Sequence, residues 1–216
     1  MRASFWISPV FFLRLPMAVE TALNIADMLP ATFTAPGLTE AQFLKICEQF
    51  PDAMLEYSAE GEVIVMPPTD PETSARVLQI GLQLSAWASR DGRGIASGPD
   101  GGFLLPDGSR RAPDAAWFDT GRWRAAQQPG TRFPVFVPDF VIEVRSPEQR
   151  SRTLREKIEE YLANGVQLAW LIDPIERTAT VYRPGRAPEV LSNPAGVAGE
   201  GPVAGFVLNL DRILPA

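Results

Sequence analysis

Pro138-Asp139-Phe140-Val141-Ile142-Glu143-Val144-Arg145-Ser146 reads as the end of a buried β-strand with a carboxylate set into it. Branched and aromatic residues fill Val135–Val144, Asp139 stands beside Pro138 as turn chemistry would place it, and Ser146-Pro147 ends the run. Side chains alternate along a strand, so Val141, Glu143 and Arg145 share one face and Phe140, Ile142 and Val144 the other. Glu143 can form a plain intrastrand ion pair with Arg145, or it can belong to a site. A second interruption bears on that choice. Pro113-Asp114-Ala115-Ala116-Trp117 sets Asp114 into another apolar segment, a hairpin's length upstream. Removing a carboxylate from water is costly unless a cation or hydrogen-bond donors compensate it. Two such interruptions suggest a shared partner, and a divalent metal ion is the simplest.

Downstream, Thr153 to Asn164 has the pattern of a helix. Thr153 and Glu156 suggest a capping box, Leu154, Ile158, Tyr161 and Leu162 an apolar stripe, and Gly165 a C-terminal stop. Lys157 lies on the border of that stripe. It can snorkel to solvent, or turn its ammonium toward the strand that precedes the helix. A strand over Leu168–Ile172, the turn Asp173-Pro174 and an exposed strand over Thr178–Arg183 follow. The strand–helix–strand unit at residues 135–172 argues for an α/β protein built on a mixed sheet. Upstream, Leu38–Phe50 is predicted helical with a Thr39/Gln42 capping box. Met54–Tyr57 and Glu62–Met66 read as a hairpin, and Pro67-Pro68 breaks the pattern before a helix from Glu72 to about Arg90. Short strands are predicted at Gly94–Ser97, Gly102–Leu105 and Ala112–Phe118, and Phe206-Val207-Leu208 as a last strand or an edge element.

Composition narrows the chemistry. The 216 residues suit one domain, and the absence of histidine removes Ser-His-Asp triads, Cys-His pairs, imidazole zinc sites and histidine bases together. Cys47 is the one cysteine, so no disulfide can form within the chain; it reads as a small buried hydrophobe, and the composition fits a reducing cytoplasm. A net charge of −6 and a pI near 4.8 oppose tight non-specific DNA binding, leaving local patches such as Arg150, Arg152, Arg155 and Lys157. Phe5 to Leu13 is apolar but broken by Pro9 and too short to span a membrane. Residues 1–16 are therefore predicted to be a disordered or mis-started extension ahead of Met17, with residues 17–216 as the domain. Asp52, like Asp139, is assigned to turn chemistry, and Trp117, Trp123 and Trp170 to the core.

The stretches around Asp114 and Glu143, Glu156-Lys157-Ile158-Glu159-Glu160-Tyr161 and Trp170-Leu171-Ile172-Asp173-Pro174 together resemble the Uma-type putative restriction endonuclease family. That family belongs to the PD-(D/E)XK nuclease superfamily, and the resemblance runs from about Leu38 to Leu210. It implies a restriction-endonuclease-like mixed β-sheet flanked by helices, and a metal-dependent endonuclease acting on DNA. It also implies that Asp114 and Glu143 bind Mg²⁺ or Mn²⁺, with Glu72 as an accessory acid, and that the product carries a 5′-phosphate. Arg145 stands where the superfamily has its lysine. Arginine can hold a phosphate but cannot move a proton, so the resemblance passes the amine's role to Lys157. Relatives often carry histidine on the helix that bears Glu72; this chain has none. Homodimerisation is expected by analogy with restriction enzymes. Two rivals remain: a non-catalytic module that keeps the fold for binding or dimerisation, and a two-carboxylate glycosidase needing no metal.

Overall fold

The computed structural model describes residues 31–51, 53–66, 68–147 and 149–214. The predicted boundary at residue 16, the start at Met17, and Asp52 and Pro67 lie outside them. Among the described residues, four α-helices, α1 (Glu40–Gln49), α2 (Pro71–Asp91), α3 (Thr120–Ala126) and α4 (Ser151–Ala163), pack on two main sheets.

The central sheet is mixed. Strands β4 (Gly94–Ser97), β7 (Ala115–Asp119), β8 (Phe140–Val144), β9 (Leu168–Asp173), β10 (Thr178–Tyr182) and β11 (Glu189–Ser192) lie in the order β11-β10-β9-β8-β7-β4. Only β8 and β9 run parallel, because α4 carries the chain back across the sheet between them. A second, antiparallel sheet has the order β1-β3-β2-β6-β5. Its strands are β1 (Ala31–Thr34), β2 (Met54–Tyr57), β3 (Glu62–Met66), β5 (Phe103–Leu104) and β6 (Arg110–Arg111). A small ribbon of β12 (Gly196–Ala198) and β13 (Val207–Asn209) places the tail against α2.

Alternation along β8 divides the core. Phe140, Ile142 and Val144 join α2 residues Val77, Ile80 and Leu84 with Phe206 and Leu208 on one side. Val141 joins Leu154, Ile158 and Tyr161 of α4 on the other. Glu143 therefore points into the α4 side. Trp117 and Trp170 are buried in the α2-side core, as expected, and Trp123 packs on the other.

Several local expectations change. Phe140–Val144 is the only strand within residues 135–144; Pro134 and Pro138 lack the N–H a ladder needs, and Val135 makes one isolated bridge to Leu104. Helix α4 begins at Ser151, so Thr153 lies inside its first turn and no capping box forms; Glu156 pairs with Arg152 instead. The capping box at Thr39 and Gln42 is present. Strand β10 is buried rather than exposed, because it has neighbours on both edges and packed layers on both faces. Asp139 is buried, accepting from the Asp119 N–H, Arg122 and Gln167, which makes it a structural anchor as well as a strand-entry residue. Asp173 closes a turn by accepting from the Ile175 and Glu176 N–H groups. Cys47 is only half-buried. No helix among the described residues is long and apolar enough to cross a membrane.

Candidate active site

Asp114 immediately precedes β7, and the β7–β8 pairing matches Ala115 with Ile142, so Asp114 faces Glu143 across the ladder. The Val144 N–H donates to Asp114 Oδ2 at 2.7 Å, which ties the first carboxylate to the backbone beside the second. Above them runs α4. Lys157, Glu160 and Tyr161 are spaced by three and four residues and so share one helix face. Lys157 Nζ lies 2.8 Å from Glu143 Oε1 and donates to the Ala112 carbonyl at 3.2 Å. The Tyr161 hydroxyl donates to the same Glu143 oxygen at 3.1 Å.

A residue outside the sequence-derived set completes the cluster. Glu56, on β2 of the second sheet, approaches Lys157 Nζ at 2.8 Å through Oε1, which also accepts the Ala112 N–H at 3.0 Å. Its Oε2 accepts from Arg111 Nη1 at 3.2 Å, and Arg111 also pairs with Glu160 of α4. The site is thus a seam where both sheets and α4 meet. The signal for Glu56 was in the sequence: it interrupts the apolar strand Met54-Leu55-Glu56-Tyr57 much as Asp114 and Glu143 interrupt theirs.

Electrostatics follow from burial and neighbours. Burial pushes the Glu143 carboxyl up to about 8 despite the Lys157 ammonium, and the Asp114 and Glu56 carboxylates add to the rise. Burial raises Asp114 to about 6, opposed by Lys157 and the Val144 N–H. Glu56 moves the other way: burial penalises its charge, but Lys157 and Arg111 together outweigh that and hold it below the usual carboxylate range. For Lys157 burial is likewise outweighed, here by Glu143 and Glu56, and its ammonium is held above the usual lysine range. Lys157 is consequently a fixed cation, and four carboxylates, Glu56, Asp114, Glu143 and Glu160, face two cations, Lys157 and Arg111. Such a cluster takes up a proton or another cation.

Of the five predicted site residues, Asp114, Glu143 and Lys157 come together. Glu72 does not join them. In the first two turns of α2 the inward positions are Thr73 and Val77, and the Glu72 side chain is 76% exposed and pairs with Arg76. Nor does Arg145 pair with Glu143. It follows the last residue of β8, and its guanidinium bonds Asp173 Oδ2 at 2.9 Å and the Gln149 carbonyl at 3.2 Å. Among the described residues no three acidic, histidine or cysteine side chains converge as a metal cage. What remains is a pair. Asp114 Oδ1 and Glu143 Oε2 accept no hydrogen bond among the described residues, while their partner oxygens are held by the protein. Two hard oxygen donors beside surplus negative charge fit Mg²⁺ or Mn²⁺, ions that commonly keep waters and substrate oxygens in their remaining positions.

Comparison with known proteins agrees with this architecture. Residues 40–211 match the Uma2 family, described as "Putative restriction endonuclease". A crystal structure of a "putative nuclease belonging to DUF820" from Anabaena variabilis is similar with a TM-score of 0.68 and 26% sequence identity, over 81% of this chain and 96% of that one. No curated protein matches the sequence.

Proposed function

The chain belongs to the Uma2 family of putative restriction endonucleases, and from that premise we propose that it hydrolyses DNA phosphodiester bonds in a Mg²⁺- or Mn²⁺-dependent manner. The observation that carries this reading is the convergence of Asp114 and Glu143 with the Lys157 ammonium at one seam. Asp114 and Glu143 would hold the cation through the two oxygens left free. When bound, the metal supplies Lewis-acid polarisation of the phosphate and a more acidic water. Lys157 would place a positive charge beside the phosphoryl oxygens on which negative charge builds in the transition state. Its ammonium is held protonated by Glu143 and Glu56, so its role is electrostatic rather than that of a base. Glu56 and Arg111 hold that charge in place from the opposite sheet. Arg145 would reach a phosphate only by leaving Asp173.

Nicking of supercoiled plasmid is the test. Cleavage with Mg²⁺ or Mn²⁺, abolished by EDTA and absent in Asp114→Ala and Glu143→Ala, is expected. No cleavage by the wild type with either metal would favour the non-catalytic binding module, and EDTA-insensitive glycoside hydrolysis the two-carboxylate glycosidase. Cutting both strands of a duplex in one encounter would call for two sites, hence a homodimer, which light scattering on the intact chain would detect.

A further inference from the structure

We propose that Tyr161 is a positioning residue that fixes the Glu143 carboxylate for a divalent cation, an inference that rests on the metal-site reading above. Glu143 Oε1 is held twice, by the Tyr161 hydroxyl at 3.1 Å and by Lys157 Nζ at 2.8 Å. Two donors on one oxygen define the plane and rotamer of the carboxylate, which one ammonium on a flexible stem does not. They also settle which oxygen is available, since Oε2 accepts no hydrogen bond among the described residues. The tyrosine is well suited to this. Its ring is fully buried in the core between α4 and the central sheet, packed with Leu154, Ile158, Val141 and Leu171, so the hydroxyl has little freedom to wander. Its position four residues after Lys157 places both donors on one helix face, so α4 delivers them as a unit.

The hydroxyl is separable from the ring. Tyr161→Phe keeps the packing and leaves Lys157 on Oε1, so no buried carboxylate loses its cation. Tyr182→Phe is the matched control: it removes one hydroxyl from another buried tyrosine of the same core, and that hydroxyl makes no hydrogen bond to the cluster. Mn²⁺ binding to the purified full chain, followed by the loss of the free-ion EPR signal, gives a readout independent of nuclease activity, with Asp114→Asn as the site-specific reference. Removing a partner that orients a metal ligand typically weakens affinity ~10–100-fold. Tyr161→Phe is expected to weaken Mn²⁺ binding about tenfold with Tyr182→Phe unchanged, and with both variants melting cooperatively. Wild-type affinity retained in Tyr161→Phe, while Asp114→Asn loses binding, overturns the role of Tyr161 and leaves the metal site standing. Equal weakening in both tyrosine variants overturns it too, since the effect would then be general to the core. Absence of Mn²⁺ binding by the wild type overturns the metal-site reading and this inference with it. Should Tyr161→Phe melt early, the Mn²⁺-induced rise in melting temperature at saturating metal, compared between the two tyrosine variants, decides the same question.

Discussion

Lys157 satisfies its three donors with Glu56, Glu143 and the Ala112 carbonyl, so the ammonium works as the keystone of a buried charge cluster. Removing one member of a buried ion-paired set leaves the others uncompensated, at a cost of about 3–5 kcal/mol. Lys157→Met should therefore lower the unfolding free energy by about that amount in urea titration, in addition to abolishing nicking. Asp114 and Glu143 predict an unusual pH dependence. Both carboxyls sit above their ordinary values, at about 6 and about 8, so the folded state binds more protons than the unfolded chain across this range. Their contribution to stability is full below the unfolded values and is lost as pH rises through the folded ones. Metal-free protein should be less stable at pH 8 than at pH 5.5, by on the order of 4 kcal/mol in urea unfolding. Glu143→Gln should flatten most of that slope. The same sign predicts that Mn²⁺ binds more tightly as pH rises, because the cation competes with those protons.

Strand β8 shows how elements divide their duties. Its C-terminal end carries Glu143, while Asp139 at the entry holds the Asp119 N–H, Arg122 of α3 and Gln167 ahead of β9. Asp139→Ala should cost about 3 kcal/mol through unpaired buried donors, measured by thermal melting, and leave Mn²⁺ affinity unchanged. Helices were legible in the sequence where stripe and stop agreed, as in the body of α4, and at Thr39–Gln49 where the cap agreed as well. Alternation and helix spacing left open whether Glu143 pairs with Arg145 and whether Lys157 turns inward; it was the family resemblance that grouped Asp114, Glu143 and Lys157. What escaped was long-range. Glu56 reaches the site because the β2–β3 hairpin docks across the seam, and nothing local to Met54–Tyr57 encodes that docking. Arg111 is similar: nothing local to Arg110-Arg111 marks either arginine for burial, yet each is buried against a distant carboxylate, Arg110 on Glu40 and Arg111 on Glu56 and Glu160. The position of β1, paired with β3 at the sheet edge, also went unread, since a lone four-residue strand has no period to distinguish it. Glu72 failed for a simpler reason: one residue of helical phase puts Thr73 inward and Glu72 outward.

At the scale of the whole molecule, net charge sets the terms for DNA. A chain at −6 repels a polyanion, and inside the α4 region Lys157 is withdrawn into the site, leaving Arg150, Arg152 and Arg155 exposed. Arg152 is already paired with Glu156. Few phosphate contacts imply a shallow salt dependence, with a slope of log affinity against log salt of about −3 or shallower. Fluorescence anisotropy of duplex binding by Asp114→Asn, across a salt series, measures it; a slope near that of a heavily basic DNA binder would mean a larger cationic surface. The two sheets and α4 matter together because they turn separate strand interruptions into one place with surplus negative charge and two carboxylate oxygens that accept no hydrogen bond among the described residues. The most direct test of that claim is an anomalous difference map from a crystal of the full chain soaked in Mn²⁺. A single strong peak between Asp114 Oδ1 and Glu143 Oε2 is predicted. A map with no peak there, or with its peak at the exposed Glu72 instead, would contradict it.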